Sequence, residues 1–73
     1  MDSELTNQAK LRRQILEQIN DAKGHTRYIT VLSLPVAAHW DKNSITGHLQ
    51  ILHHEGRVDL KMDPAGQAGM VKS

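Results

Sequence analysis

The run from Asp41 to Val58 (Asp41-Lys42-Asn43-Ser44-Ile45-Thr46-Gly47-His48-Leu49-Gln50-Ile51-Leu52-His53-His54-Glu55-Gly56-Arg57-Val58) constrains the fold more than any other part of the chain. It opens on Asp41, whose carboxylate can accept hydrogen bonds from amides two or three residues on and so start a helix. Ile45, Leu49 and Leu52 follow at spacings of four and three, which stacks them on one helical face. Gly56 tolerates the left-handed conformation that ends many helices. Directly beyond it, Arg57-Val58-Asp59-Leu60-Lys61-Met62 alternates polar and apolar residues, the period of a half-buried strand. The pattern predicts a helix over about 42–55 delivered straight into a strand, with Val58, Leu60 and Met62 turned inward and Arg57, Asp59 and Lys61 outward.

The rest of the chain supplies what such a helix packs against. Residues from about 3 to 23 read as one amphipathic helix, with Leu5, Ala9, Leu16 and Ile19 near one face, widened by Leu11 and Ile15. Ser3 or Thr6 can cap its start, and Lys23-Gly24 is a suitable stop. Tyr28–Leu32 is β-branched and aromatic and reads as a short strand over about 28–32. A short helix over about 34–39 follows, with Ser33 as cap and Pro35 at the second helical position, where a missing N–H is harmless. Asp63-Pro64-Ala65-Gly66-Gln67 has turn chemistry, and Ala68–Lys72 can return as a second strand, giving a hairpin over about 57–72.

With 73 residues the chain is expected to form one domain, 1–73, around one modest core. Trp40 and Tyr28 are its only Trp, Tyr or Phe residues, so that core is aliphatic. The absence of cysteine excludes disulfides and thiolate metal sites. No apolar run reaches the ~20 residues of a membrane span, and the acidic start Met1-Asp2-Ser3-Glu4 lacks the layout of a signal peptide. A cytoplasmic protein with no membrane association is expected. The net charge of +1 does not by itself argue for nucleic acid, so any such affinity rests on local clusters such as Lys10, Arg12 and Arg13.

A short helix with a polar front, preceded by a helix, a strand and a second helix and followed by a hairpin, resembles the winged helix-turn-helix family. The resemblance covers nearly the whole chain and is most specific from Asp41 to Val58. It departs from the family at the second helix, which is unusually short and contains Pro35. The resemblance implies an α+β fold of three helices, a short strand and a C-terminal two-stranded wing. It also implies a sequence-specific, double-stranded DNA-binding function, as in small prokaryotic, phage or plasmid transcription regulators. The helix after Asp41 would enter the major groove and the wing would touch the backbone.

With Ile45 as the buried direction, Asn43, Gly47, Gln50 and His54 fall on the opposite side of this helix, with Thr46 and His53 on a flank. Asn and Gln can pair bidentately with adenine, and Thr can meet a base edge or a thymine methyl. Gly47 lowers helix stability relative to Ala but admits a close approach of the backbone. Lys42 and Ser44 at the helix start suit phosphate. Lys42, Asn43, Thr46, Gly47 and Gln50 carry the family's contact positions, while Arg57 and Lys61 stand outward on the wing, with Gln67 near its tip. The plainer alternatives are a solvated helix face and an edge strand protected by charge. Leu5, Leu11 and Ile15 beyond the core stripe, together with Ile51, suggest a homodimer through the first helix, whose two-fold symmetry suits a palindromic site.

Other functions lack their parts. No phosphate loop or nucleophile motif is present, so no enzyme is expected. His48, His53 and His54 share a helix, but none are three or four apart, so neither a metal nor another cofactor is expected. The alternative function is a winged-helix module that binds protein, or RNA, in a replication or transcription assembly.

Overall fold

Leu11, Ile15 and Ile19, spaced four apart, form the inner face of helix α1 (Ser3–Asp21) and are buried. The computed structural model describes the backbone of residues 3–73 and the side chains from Asn7 onward. The capping roles expected of Ser3 and Thr6, and the packing of Leu5, lie outside the described residues. The stripe differs from the expected one: Ala9 is exposed and Leu16 only partly buried, whereas Leu11 and Ile15 are central to the core. Three large aliphatic side chains four residues apart drift only slowly around a helix, and they fix the rotation of α1 against Ala9.

α1 ends two residues before the expected stop, and the roles of Lys23 and Gly24 are exchanged. Lys23 adopts the left-handed conformation, with φ 67°. The Gly24 amide donates to the Ile19 carbonyl (2.7 Å) and the Lys23 amide to Asn20 (3.0 Å), the paired bonds of a Schellman ending. Gly24 is needed for space: a Cβ there would lie 2.7 Å from the Ile19 carbonyl oxygen and against the Ile19 side chain.

Strand β1 is only Ile29–Thr30. The expected second α-helix is absent, replaced by two 3₁₀ turns at Val31–Ser33 and Pro35–Ala38. Pro35 is the cause. The residue before a proline is pushed out of the helical region, and Leu34 is extended (φ −75°, ψ 138°), which breaks the segment in two. Leu34, not Ser33, occupies the cap position, while the Ser33 hydroxyl donates back to the Thr30 carbonyl at 2.6 Å. The Val36 amide, next after the proline, donates to Gln18 Oε1 on α1 at 2.9 Å. A side chain from another element thus satisfies one of the free amides of this turn.

Helix α2 (Lys42–His54) buries Ile45, Leu49 and Leu52 as expected. It closes on Gly56 at φ 77°, with Gly56 N–H donating to His53 (3.0 Å) and Arg57 N–H to Leu52 (2.9 Å). Strands β2 (Asp59–Met62) and β3 (Ala68–Lys72) follow. All pairings are antiparallel, in the order β1-β3-β2. The architecture is therefore α+β, with two α-helices and one three-stranded antiparallel sheet.

Ile29 and Leu60 both pair with Val71, so this row faces the core, and Thr30 and Lys61 both pair with Met70 on the outer face. Val58 is buried, but Met62 is 43 % exposed rather than turned inward. An irregularity in register between Lys61 and Met62 resets the alternation. The core is aliphatic throughout, from Leu11 to Val71.

The exchanged helix ending gives opposite expectations at neighbouring positions. Lys23→Gly should raise stability by about 1 kcal/mol, because it relieves a left-handed non-glycine residue. Gly24→Ala should lower it by about 1–3 kcal/mol through overpacking against Ile19. Urea denaturation of both variants checks the pair, and a stabilising Gly24→Ala would contradict the assignment.

Candidate functional site

The start of α2 is organised by Asp41. It sits at the cap position in extended conformation (φ −71°, ψ 159°) without an amide hydrogen bond of good geometry. Its carboxylate accepts instead from the Ser44 hydroxyl at 2.6 Å. That bond is the main reason its carboxyl lies below the ordinary 3.8. Ser44 is half-buried and its proton is committed to Asp41, so it is withdrawn as a phosphate donor. Lys42 is exposed beside these first amides.

Thr46 is withdrawn from the base-reading group. It is buried, and its hydroxyl accepts from the Ala68 amide at 3.0 Å. Its flank of the helix is covered by the β2–β3 hairpin. Three residues earlier, Asn43 Oδ1 accepts from Gln67 Nε2 at 2.9 Å, although Asn43 remains exposed. The hairpin end is shaped by Asp63, whose carboxylate accepts from the amides of Ala65 (3.0 Å) and Gln67 (2.9 Å). Its own amide donates to the Gln67 carbonyl at 2.7 Å. Hairpin and helix are thus joined at two points.

The remaining outer face of α2 is open. A Cβ placed on Gly47 would meet nothing within 4 Å. Gln50 and His54 are exposed, and Ile51 is 43 % exposed as expected. Gly47, Gln50, Ile51, His54 and Glu55 line one shallow depression along the helix. His53 is exposed, with its Nδ1 3.1 Å from the Val58 carbonyl oxygen.

Arg57 and Lys61 are both exposed, but only Lys61 lies within a strand of the hairpin. Arg57 precedes β2, and its Nε lies 3.3 Å from Glu55 Oε1. It shares a cleft with Arg12 and Arg13 of α1, together with Leu16 and Leu52. Arg57 lies far from Arg12 and Arg13 in sequence, and no local pattern shows that the end of α2 meets the middle of α1. Lys61 lies on the outer sheet face with its ammonium 4.3 Å from the centroid of the Tyr28 ring, a cation–π contact. It is exposed and stands outward from the core, as its place in the alternation predicts. The basis for dimerisation through α1 also changes, because Leu11 and Ile15 belong to the core.

Two further features border the site. A pocket of about 240 Å³ lies between the first 3₁₀ turn, the start of α2 and the hairpin, lined by Val31, Leu32, Ala37, Ile45 and Gly69 with Lys42 and Asp63 at its polar edge. On the α1 side, half-buried His48 shares a depression with Leu11, Trp40 and Ser44, and its Nδ1 has no hydrogen-bond partner. Burial, and then the Arg12 charge, push its imidazole below the ordinary 6.5. Among the described residues, no group of three His, Asp or Glu side chains could hold a metal ion, and no helix is long and apolar enough to cross a membrane.

Comparison with known proteins gives no matching family model, no matching curated protein and no matching solved structure.

Two expectations follow. Thr46→Val leaves the Ala68 amide without its acceptor and should cost about 1–3 kcal/mol, with amide exchange accelerated at Ala68 in particular. Unchanged exchange there would show that the hydroxyl does not hold the hairpin. His48 makes stability pH-dependent in a defined direction. Its folded value is lowered, so the unfolded chain takes up the proton more readily; the associated stability is present above pH 6.5 and lost as pH falls through the lowered value. Denaturation from pH 8 to pH 5 should show this loss, and His48→Gln should flatten it.

Proposed function

We propose that the chain is a winged helix-turn-helix domain that binds double-stranded DNA, with the second helix of that fold reduced to two 3₁₀ turns around Pro35. The element order helix, strand, turn segment, helix, hairpin supports the fold reading. The functional reading is carried by one observation. The open face of α2 presents Gly47 and Gln50, neither of them charged, with Asn43 tied to Gln67 beside them, and has cations beyond each end: Lys42 at its start, and at its close Arg12 and Arg13 with Arg57, which pairs with Glu55. α2 has 13 residues, so it is about 20 Å long at 1.5 Å per residue.

A B-form major groove about 12 Å wide admits such a helix and is bordered by phosphates. The uncharged amide of Gln50 in the middle suits a base edge, and cations toward the ends suit backbone. The free amides and positive dipole end at Lys42 add to phosphate attraction there. The Asp63–Gln67 turn, tied to Asn43, is positioned next to the same groove. Binding involves no chemistry on the DNA. Occupancy itself would control access of other proteins to a promoter, as in a small prokaryotic, phage or plasmid regulator. A second reading, a protein-binding module on the same scaffold, draws on Leu32, which is 60 % exposed beside the 240 Å³ pocket.

Binding to generic duplex DNA should weaken steeply as salt rises, because phosphate contacts release counterions. Lys42→Ala and Arg12→Ala should each weaken every duplex and lower the salt slope by about one. In an NMR titration at low salt, amides of Asn43–His54 should move more than those of the outer sheet face. Absence of salt-sensitive binding to any duplex would reject the DNA reading in favour of the protein-binding one, and shifts centred on Leu32 with a protein partner would support the latter.

A further inference from the structure

Gly47, Gln50, Ile51 and His54 recur at spacings of three, one and three, so they form one stripe along the outer face of α2. The stripe has an unusual composition for a surface of this kind. The helix Lys42–His54 contains no arginine, and its one lysine stands at the first position, away from the middle of the stripe. Guanine is read most often by a bidentate Arg or Lys on its O6 and N7, and the centre of α2 has no such donor.

What the centre does offer is an amide and an aliphatic side chain on adjacent residues. Gln50 is exposed, and among the described residues no intramolecular hydrogen bond holds its amide. It can donate to adenine N7 and accept from adenine N6 at once. Ile51 is 43 % exposed in the same depression. The one apolar group that a major groove presents to such a side chain is the 5-methyl of thymine. Gly47, one turn earlier, removes the side chain that would hold the helix back, and the space around it is empty. Gln50 and Ile51, adjacent in α2, diverge by about 100° around the helix axis, so a helix lying in the groove turns them toward different base pairs.

Resting on the reading of α2 as a helix in the major groove, we propose that this stripe selects A·T base pairs. Gln50 takes the adenine edge and Ile51 covers the methyl of a thymine at an adjoining base pair. Both residues are specificity determinants in this assignment, whereas Lys42, Arg12, Arg13 and Arg57 supply affinity without sequence preference.

The test begins with the duplex preferred from a random pool, in which A·T pairs should occupy the central positions. Each thymine is then replaced by uracil, a change that removes one methyl and leaves the protein untouched. One replacement should weaken binding about fourfold, the equivalent of one buried methyl group. Ile51→Ala should bind the thymine and uracil duplexes alike, near the affinity of the parent for the uracil duplex. Gln50→Ala should lose about 5-fold to 150-fold on the preferred duplex and little on generic DNA. A central G·C preference, or equal binding of every uracil duplex by the parent, would overturn the proposal while leaving salt-sensitive DNA binding in place. Thymine preference that survives Ile51→Ala in a variant with the parental melting temperature would also overturn it. Absence of salt-sensitive binding to all duplexes would overturn the DNA reading and this proposal with it.

Discussion

The burial of Ile45, Leu49 and Leu52 in one cluster with Leu11, Ile15 and Ile19 of α1 and with Val58 and Val71 sets the rotation of α2, and that rotation decides which side chains reach solvent. Burial of each of these side chains contributes about 1.5–3 kcal/mol, far more than any exposed polar contact. A turn of α2 about its axis would expose leucines before it could present a different polar face. Asn43, Gly47, Gln50 and His54 are therefore held outward by the apolar side chains behind them. The same packing brings Leu52 beside Leu16 and so collects Arg12, Arg13 and Arg57 at one end of the helix.

The two hydrogen bonds from hairpin to helix give this arrangement a second dimension. Thr46 and Asn43 are spaced three apart, so they lie near one line on the flank of α2. Through them the orientation of the Asp63–Gln67 turn is referred to the helix axis rather than to the outer edge of the sheet. The hairpin end itself is organised by a single carboxylate, Asp63. Polar residues at the start of α2 thus divide their roles: Asp41 and Ser44 satisfy each other, Thr46 supports the hairpin, and Asn43 serves the hairpin while remaining open to solvent.

Much of α2 was legible in the sequence because its signals are local and mutually consistent: a cap residue, a stripe at spacings of four and three, and a glycine whose left-handed conformation the structure contains. The inward row Val58, Leu60 was legible from alternation, until the irregularity beside Met62 reset it. What local pattern could not reveal depended on partners. The choice between Ala9 and Ile15 on α1 required knowing which face meets α2. The exchange of roles at Lys23 and Gly24 depended on how closely the chain passes Ile19. Pro35 did carry the signal for the broken second helix, through its effect on Leu34 rather than on its own N–H. The arginine cluster and the withdrawal of Thr46 from the candidate surface arose from contacts between elements distant in sequence.

The sheet order has a consequence for how such a chain comes to be folded. β3 is the last element in sequence but the central strand, flanked by β1 and β2. Until it is in place, neither neighbour has a partner, and Val71, fully buried, is missing from the core. β2 can join β3 quickly through a short hairpin, whereas closing β1 onto β3 spans most of the chain, the kind of long-range contact that slows folding. During synthesis, α1 and α2 can meet early, but β1 and β2 stay unpaired and the core stays incomplete until Ala68–Lys72 emerges. The interval before β3 arrives is therefore when the chain is most open to proteolysis and to pairing with other unfinished copies.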